Sequence, residues 1–218
     1  MYTALADVYD FLVPEALLSP EGSAAAFALV LAELEPGARV LDCACGTGTL
    51  AAGIALRGFD VRASDAAPQM VARTRARGVA AEVRRWEELE GGPFDAVLCV
   101  GNSLTHAEDR VAALSGMRRV ARDRALLAVT SRNWERPQEA GEEVVERGGR
   151  RATIRRSWVP GALVVEVEVG GALYREELAY WPFTHDELDA DLRAAGWAPA
   201  TSTWSPDVDR YLVTARAG

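Results

Sequence analysis

Between Arg39 and Thr130, short apolar runs alternate with mixed apolar and polar stretches. The runs Arg39 to Cys43, Asp60 to Ser64, Ala81 to Arg85, Phe94 to Val100 and Ala125 to Thr130 predict five strands. Thr49 to Arg57, Pro68 to Arg77 and Asp109 to Val120 predict helices between them. Pro68 opens one helix, and Gly58 and Gly78 stand just past the ends of two, where each residue type is favoured. An earlier helix is predicted over Ser23 to Glu35, rich in Ala and Leu and stopped at Pro36-Gly37. Strands and helices in this rhythm make a parallel sheet covered on both faces.

The pattern changes over Glu142 to Leu178, where β-branched and aromatic residues alternate in part with polar ones. Gly148-Gly149 and Gly170-Gly171 are hairpin signals, and Pro160-Gly161 is a turn signal. Helical pattern returns at Thr184 to Ala195, opened by a Thr184–Glu187 capping box and ended by Gly196, and Tyr211 to Ala215 predicts a last strand. The expectation is one α/β domain over residues 1–218. Its core is a Rossmann-like, doubly wound, seven-stranded and mostly parallel sheet, with a small antiparallel β insert at residues 140–180 after the fifth strand.

Composition removes several function classes. A formal net charge of −8 is a poor match to nucleic acid, which asks for a basic footprint. All 24 basic residues are Arg, so the Lys of a phosphate-binding P-loop and the amine of Schiff-base chemistry are both missing. The longest apolar stretch, Ala24 to Leu34, is too short to span a bilayer, and the N-terminus carries no export signal. A cytoplasmic protein with no membrane contact is expected. Cys43, Cys45 and Cys99 form no C-x-x-C pair and only two His are present, so no metal site is expected and the thiols read as buried and reduced.

Candidate chemistry starts at the first strand–helix loop, Asp42-Cys43-Ala44-Cys45-Gly46-Thr47-Gly48. Glycines there let backbone approach a ligand at the point where doubly wound folds bind nucleotides. Gly46, Gly48 and Ala51 also satisfy G-x-G-x-x-A, which by itself suits a nicotinamide dinucleotide equally well. Asp42 decides between the two. A carboxylate before the glycines disfavours a diphosphate and suits a cation, such as the sulfonium and amino group of S-adenosylmethionine. Asp65, directly after the second strand, is placed to accept ribose hydroxyls. The run Val40 to Gly48 resembles the first motif of class I methyltransferases. The resemblance implies S-adenosyl-L-methionine as cofactor, held by Asp42, Ala44, Gly46, Thr47, Gly48, Asp65, Ala66, Met70, Trp86 and Val100.

The acceptor side lies beyond the fourth and fifth strands. Neither Asn-Pro-Pro-Tyr nor a magnesium-binding acid cluster is present there, which disfavours two subclasses. Gly101-Asn102-Ser103-x-x-His106, Arg132-Asn133-Trp134 and Tyr180-Trp181-Pro182 resemble segments of the glycine and sarcosine N-methyltransferases. That resemblance implies methyl transfer to the amine of a small amino-acid-like substrate. Asn102 and Arg132 would bind the substrate, and His106 and Tyr180 are candidates for the proton-handling group. Transfer to another small metabolite on N or O, and a non-catalytic cofactor-binding role, stay open. The short segment before the first strand departs from that family, and Tyr2 and Tyr9 are candidates for a lid. The basic strip Arg150, Arg151, Arg155 and Arg156 reads as a solvated strand face, with an acidic-substrate or subunit contact and a homo-oligomer left open.

Overall fold

The computed structural model describes residues 3–218, so Tyr2 lies outside the described residues. Two short helices open the fold, α1 (Pro20–Ala26) and α2 (Ala28–Leu31). The Ser19 hydroxyl caps α1 by accepting from the Gly22 amide at 3.0 Å. The single helix expected over Ser23 to Glu35 is therefore broken. Phe27, at φ −110° and ψ 17°, ends one piece and starts the other. Packing forces the break. α1 lies so close to the next helix that a Cβ on Gly53 would sit 1.9 Å from the Pro20 carbonyl oxygen. The bend at Phe27 then lets Val30 and Leu31 reach the same core as Ala24.

The chain continues as β1 (Arg39–Asp42), α3 (Thr49–Leu56), β2 (Asp60–Asp65), α4 (Pro68–Ala76), β3 (Ala80–Val83) and β4 (Phe94–Cys99). Then come α5 (Arg110–Val120) and β5 (Ala121–Arg132). A second sheet follows, β6 (Gly141–Arg147), β7 (Arg150–Val159), β8 (Ala162–Val169) and β9 (Ala172–Ala179). The chain closes with α6 (His185–Ala194), β10 (Trp197–Ser202) and β11 (Arg210–Ala217). The main sheet has seven strands in the order β10-β11-β5-β4-β1-β2-β3. β1 to β5 are parallel, while β11 runs antiparallel to β5 and to β10. The order reverses between β1 and β4, and a crevice opens beyond their carboxyl ends.

Both sheet faces are buried, as continuous apolar strands require. Leu41, Val97, Leu127 and Val213 pack under α5 and α6 through Leu114, Met117, Leu188 and Leu192. Val40, Ala96, Leu98 and Leu126 pack with Ala24 and Ile54 of α1 and α3. All three cysteines are free and buried.

The second sheet is antiparallel in the order β6-β7-β8-β9. Pro160-Gly161 is one of its three two-residue hairpin loops; the other two, Gly148-Gly149 and Gly170-Gly171, have all four residues at positive φ, as a primed turn demands. Ile154, Val165, Val167 and Leu178 bury Val8 and Phe11 of an N-terminal 3-10 turn, Ala6–Leu12, and Leu5 just before it. Glu176 accepts from the Thr3 and Leu5 amides at 2.8 and 3.2 Å, and Asp7 pairs with Arg73 of α4 at 2.6 Å. The 3-10 turn thus straps the second sheet to the main one. Among the described residues, no helix is long and apolar enough to cross a membrane.

Candidate active site

The loop between β1 and α3 is held from both sides. The Cys43 amide donates to the Leu98 carbonyl at 2.9 Å and the Cys45 amide to the Ser64 carbonyl at 3.0 Å. α4 grips the turn, with Thr74 Oγ1 donating to the Gly46 carbonyl at 3.0 Å and Arg77 Nε to the Thr47 carbonyl at 2.8 Å. Gly48 sits at φ 77°, and a Cβ there would lie 2.6 Å from Thr74 Oγ1 and 2.8 Å from Thr74 Cα. Only glycine satisfies both the backbone and the space.

Asp42 ends β1 and is 1% exposed. Its Oδ1 is buried without a hydrogen-bond partner. Burial pushes its carboxyl up to about 7, against a backbone hydrogen bond from Ala44, and Asp65 nearby adds to the rise. An orphaned carboxylate oxygen in a glycine cradle fits a cationic ligand group, because a cation would repay the cost of burying the charge. Asp65 has a second task. Its Oδ2 accepts from the Gly46 amide at 3.0 Å and its Oδ1 from the Ala67 amide at 2.8 Å. Each oxygen keeps a lone pair for a ribose hydroxyl. Burial raises its pKa, opposed by those same amides.

The other cofactor candidates take up distinct places. Met70 is fully buried with Ala6 and Ala67, and Tyr9 packs on that cluster. The Tyr9 ring also lies 3.8 Å from where a Gly46 Cβ would be, so the strap reaches the loop itself. Trp86 Nε1 donates to the Cys43 carbonyl at 2.9 Å, which ties the end of β3 to the loop. Ala44 and Ala66 are backbone positions flanking the two acids. Val100 accepts from Ser103 Oγ at 2.6 Å and starts the turn toward the acceptor side.

Beyond β4 and β5 Asn102 and Arg132 come together, while His106 and Tyr180 are not part of the cavity lining beside them. Asn102 adopts φ 68°, a conformation Asn tolerates, and its Oδ1 accepts from the Arg132 amide at 2.8 Å. Arg132 Nη1 donates to Gln138 Oε1 at 2.6 Å. Asn102, Arg132, Trp134, Trp158, Tyr9 and Arg210 all line one cavity of about 370 Å³. Trp134 stacks on Tyr180 at 5.2 Å, and Trp158 meets Tyr180 edge-on at 5.1 Å, giving that side an aromatic cluster.

His106 lies four residues past Asn102. Its Nδ1 is 2.8 Å from the Ala179 carbonyl oxygen. A carbonyl only accepts, so Nδ1 carries the proton in the neutral ring and Nε2 is the basic nitrogen. Burial lowers its pKa, which keeps it neutral. Tyr180 is shifted the other way by burial, so its phenol stays protonated. Sequence reasoning missed Gln138, Trp158 and Arg210. Trp158 carried one signal, since it shares an alternating strand face with Arg156. Gln138 and Arg210 carried none, because only pairing with Arg132 brings them in. Among the described residues, no group of three or more His, Cys, Asp or Glu is arranged to hold a metal.

A glycine cradle with an acid on either side, at the switch point of this sheet order, is an arrangement that suits S-adenosylmethionine, and the methyltransferase domain match falls on it. Residues 40–124 match the family described as a methyltransferase domain. The chain is similar to the glycine/sarcosine N-methyltransferase of Parasynechococcus marenigrum (strain WH8102), 37% identical over 128 residues, covering 53% of this chain and 45% of that one. It is also similar to a ubiquinone biosynthesis O-methyltransferase of Xanthomonas oryzae pv. oryzae, 34% identical over 106 residues, covering 44% of each. These matches thus span less than half the length of the curated relatives. The S-adenosylmethionine-bound amino pentose methyltransferase of Micromonospora echinaspora superposes with a TM-score of 0.79 at 25% identity, covering 100% of this chain and 98% of that one.

Proposed function

We propose that this protein transfers a methyl group from S-adenosylmethionine to the amine of a small metabolite about the size of one sugar ring. The observation that carries this reading is the cavity of about 370 Å³ beside Asn102 and Arg132. It is several times larger than glycine needs, and its lining does not include the Asp42–Gly48 loop, so it is acceptor space. The aromatic cluster of Trp134, Tyr180 and Trp158 suits the apolar face of a saturated ring. The full-length likeness to an amino pentose methyltransferase supports the same size class.

Bound S-adenosylmethionine supplies an electrophilic methyl group on a sulfonium. The chain supplies position and proton handling. Asp42 and the loop would hold the cationic end, and Asp65 would hold the ribose. Asn102, Arg132 and the aromatic cluster orient the acceptor so that its nitrogen approaches in line, which accounts for much of the barrier reduction in such displacements. The amine must lose a proton, and the Nε2 of neutral His106 accepts it. Residues 1–218 act as one domain in this reading, with the four-stranded sheet forming the acceptor wall.

A second reading, an amino-acid acceptor of the glycine or sarcosine kind, is favoured by Arg132, whose fork matches a carboxylate. Release of S-adenosylhomocysteine with a panel of amino acids, amino sugars and alcohols tests both. Turnover of amino sugars supports the first reading, and turnover of glycine-like acids alone supports the second. Turnover of the alcohols alone, or of none of the panel, overturns N-methyl transfer.

A further inference from the structure

The segment after β5 is rich in acid, with Glu135, Glu139, Glu142 and Glu143 within nine residues of one another. Yet the side chain that touches the Arg132 guanidinium is the neutral one, Gln138. Glu139, Glu142 and Glu143 line the same cavity as Arg132, but none of them bonds to its guanidinium. Glu142 pairs with Arg155 and Glu143 with Arg156, while Glu135 accepts from the His185 amide. Among the described residues, no carboxylate lies within ion-pair distance of Arg132.

We propose that Gln138 is a positioning residue that aims the Arg132 guanidinium into the acceptor cavity without neutralising it, so that acceptors bearing an oxyanion are selected. This rests on the methyl-transfer reading and adds the charge of the acceptor to it. The geometry of Gln138 is fully committed. Its Nε2 donates to the Asn133 carbonyl at 3.1 Å and to the Arg136 carbonyl at 2.8 Å. Those two bonds fix which end of the amide is oxygen, and the oxygen faces Arg132. A carboxylate at the same place would accept from Arg132 as well, but would cancel its charge and repel an incoming oxyanion.

Two neighbours point the same way. Arg210 of β11 stands directly opposite Arg132 in the strand register and lines the same cavity. Trp134 lines it too, and its indole N–H is a buried donor without a partner. Arg156, Glu139, Glu142 and Glu143 share the lining, but Glu142 and Glu143 are engaged by Arg155 and Arg156, so the Arg132 side is the part of the space that matches an acceptor-rich group, a carboxylate or a phosphate.

The test compares wild type, Gln138→Glu and Gln138→Leu on matched amines that differ in one group: carboxylate, phosphate or neutral amide. Thermal-shift titration of the S-adenosylhomocysteine complex with inorganic phosphate and with acetate runs alongside. Gln138→Glu is expected to raise KM for the anionic amines, and weaken binding of the matching anion, by about 10- to 100-fold, with KM moving far more than kcat. The loss should shrink toward acid pH, as the introduced carboxyl protonates, and only in that variant. Gln138→Leu should cost less, because it loosens Arg132 without cancelling its charge. The phosphate and carboxylate arms identify which oxyanion fits. Equal losses on anionic and neutral amines in both variants would show a merely structural side chain and overturn the proposal. Absence of anion binding, with neutral amines turned over as well as anionic ones, overturns it while methyl transfer stands. Anion binding weakened by Gln138→Glu with no amine methylated leaves the oxyanion site and removes the methyl-transfer reading.

Discussion

Replacing Asp42 by Asn should make the unliganded protein more stable at alkaline pH while weakening its hold on S-adenosylmethionine. Burial lifts the carboxyl from 3.8 to about 7 in the folded chain. The folded state therefore binds more protons than the unfolded chain between those values. The stability this contributes is fully present below pH 3.8, declines as pH rises and is gone above about pH 7. Three units at 1.36 kcal/mol each put the cost of the ionised carboxylate at roughly 4 kcal/mol. Asn removes that cost. Its oxygen can keep the bond from Ala44, but its amide then stands where Oδ1 has no partner. An unpaired buried donor costs about 1–3 kcal/mol. The net expectation is a gain of roughly 2 kcal/mol at pH 8.5, shrinking toward zero or reversing at pH 5. Urea unfolding of both proteins at the two pH values measures the difference, in which titrating groups remote from Asp42 cancel. Binding of S-adenosylmethionine should fall by about 10- to 100-fold in the variant, since a hydrogen bond or ion pair to a charged partner is lost. Wild-type affinity should itself decline below about pH 7, as Asp42 takes up its proton. An Asp42→Asn protein that is less stable at pH 8.5, or whose stability difference does not change with pH, would refute the reasoning.

Gly48→Ala should cost about 3 kcal/mol or more, because the new methyl meets Thr74 backbone and the residue is left-handed. Gly58→Ala, at φ 88° with nothing within 4 Å, should cost only about 1 kcal/mol, and equal losses in chemical unfolding would contradict the close-approach argument. His106→Gln should lower kcat by about 100-fold or more and remove the acid limb of the kcat profile, a limb that in wild type lies below pH 6.5 because burial depresses the imidazole. A kcat within a few-fold of wild type would take the proton away from His106. The same depression means the ring's contribution to stability is present above pH 6.5 and lost as pH falls through the lower folded value, which acid unfolding of the two proteins can follow.

Features written in contiguous residues were legible in advance. The Asp42 to Gly48 loop, Asp65, the hairpin glycines and the Thr184–Glu187 capping box each depend on a few neighbouring positions, and the structure forms them locally. The capping box closes in both directions, at 2.8 and 3.1 Å. Where neighbours alone did not decide, the pattern was silent or misled. β10 was not anticipated, because Trp197-Ala-Pro-Ala-Thr-Ser202 lacks apolar alternation. It forms because an edge strand tolerates Pro199 and the register can shift there. The predicted first helix broke at Phe27 because α1 had to dock on Gly53.

By itself, then, the sequence determined the sheet–helix rhythm, the cofactor cradle and the acids on either side of it. Backbone conformation and the charge preference of a loop are short-range properties, set by residue type within a few positions. Tertiary structure alone decided the acceptor side. Arg132 meets Arg210 only because β11 turns back along β5, and Tyr9 reaches Gly46 only because the second sheet buries Leu5, Val8 and Phe11. Cavity size, the neutral tether on Arg132 and the basic nitrogen of His106 are sums over contacts between distant segments. Such contacts exist only once the apolar faces have been buried and the segments have no other place to stand.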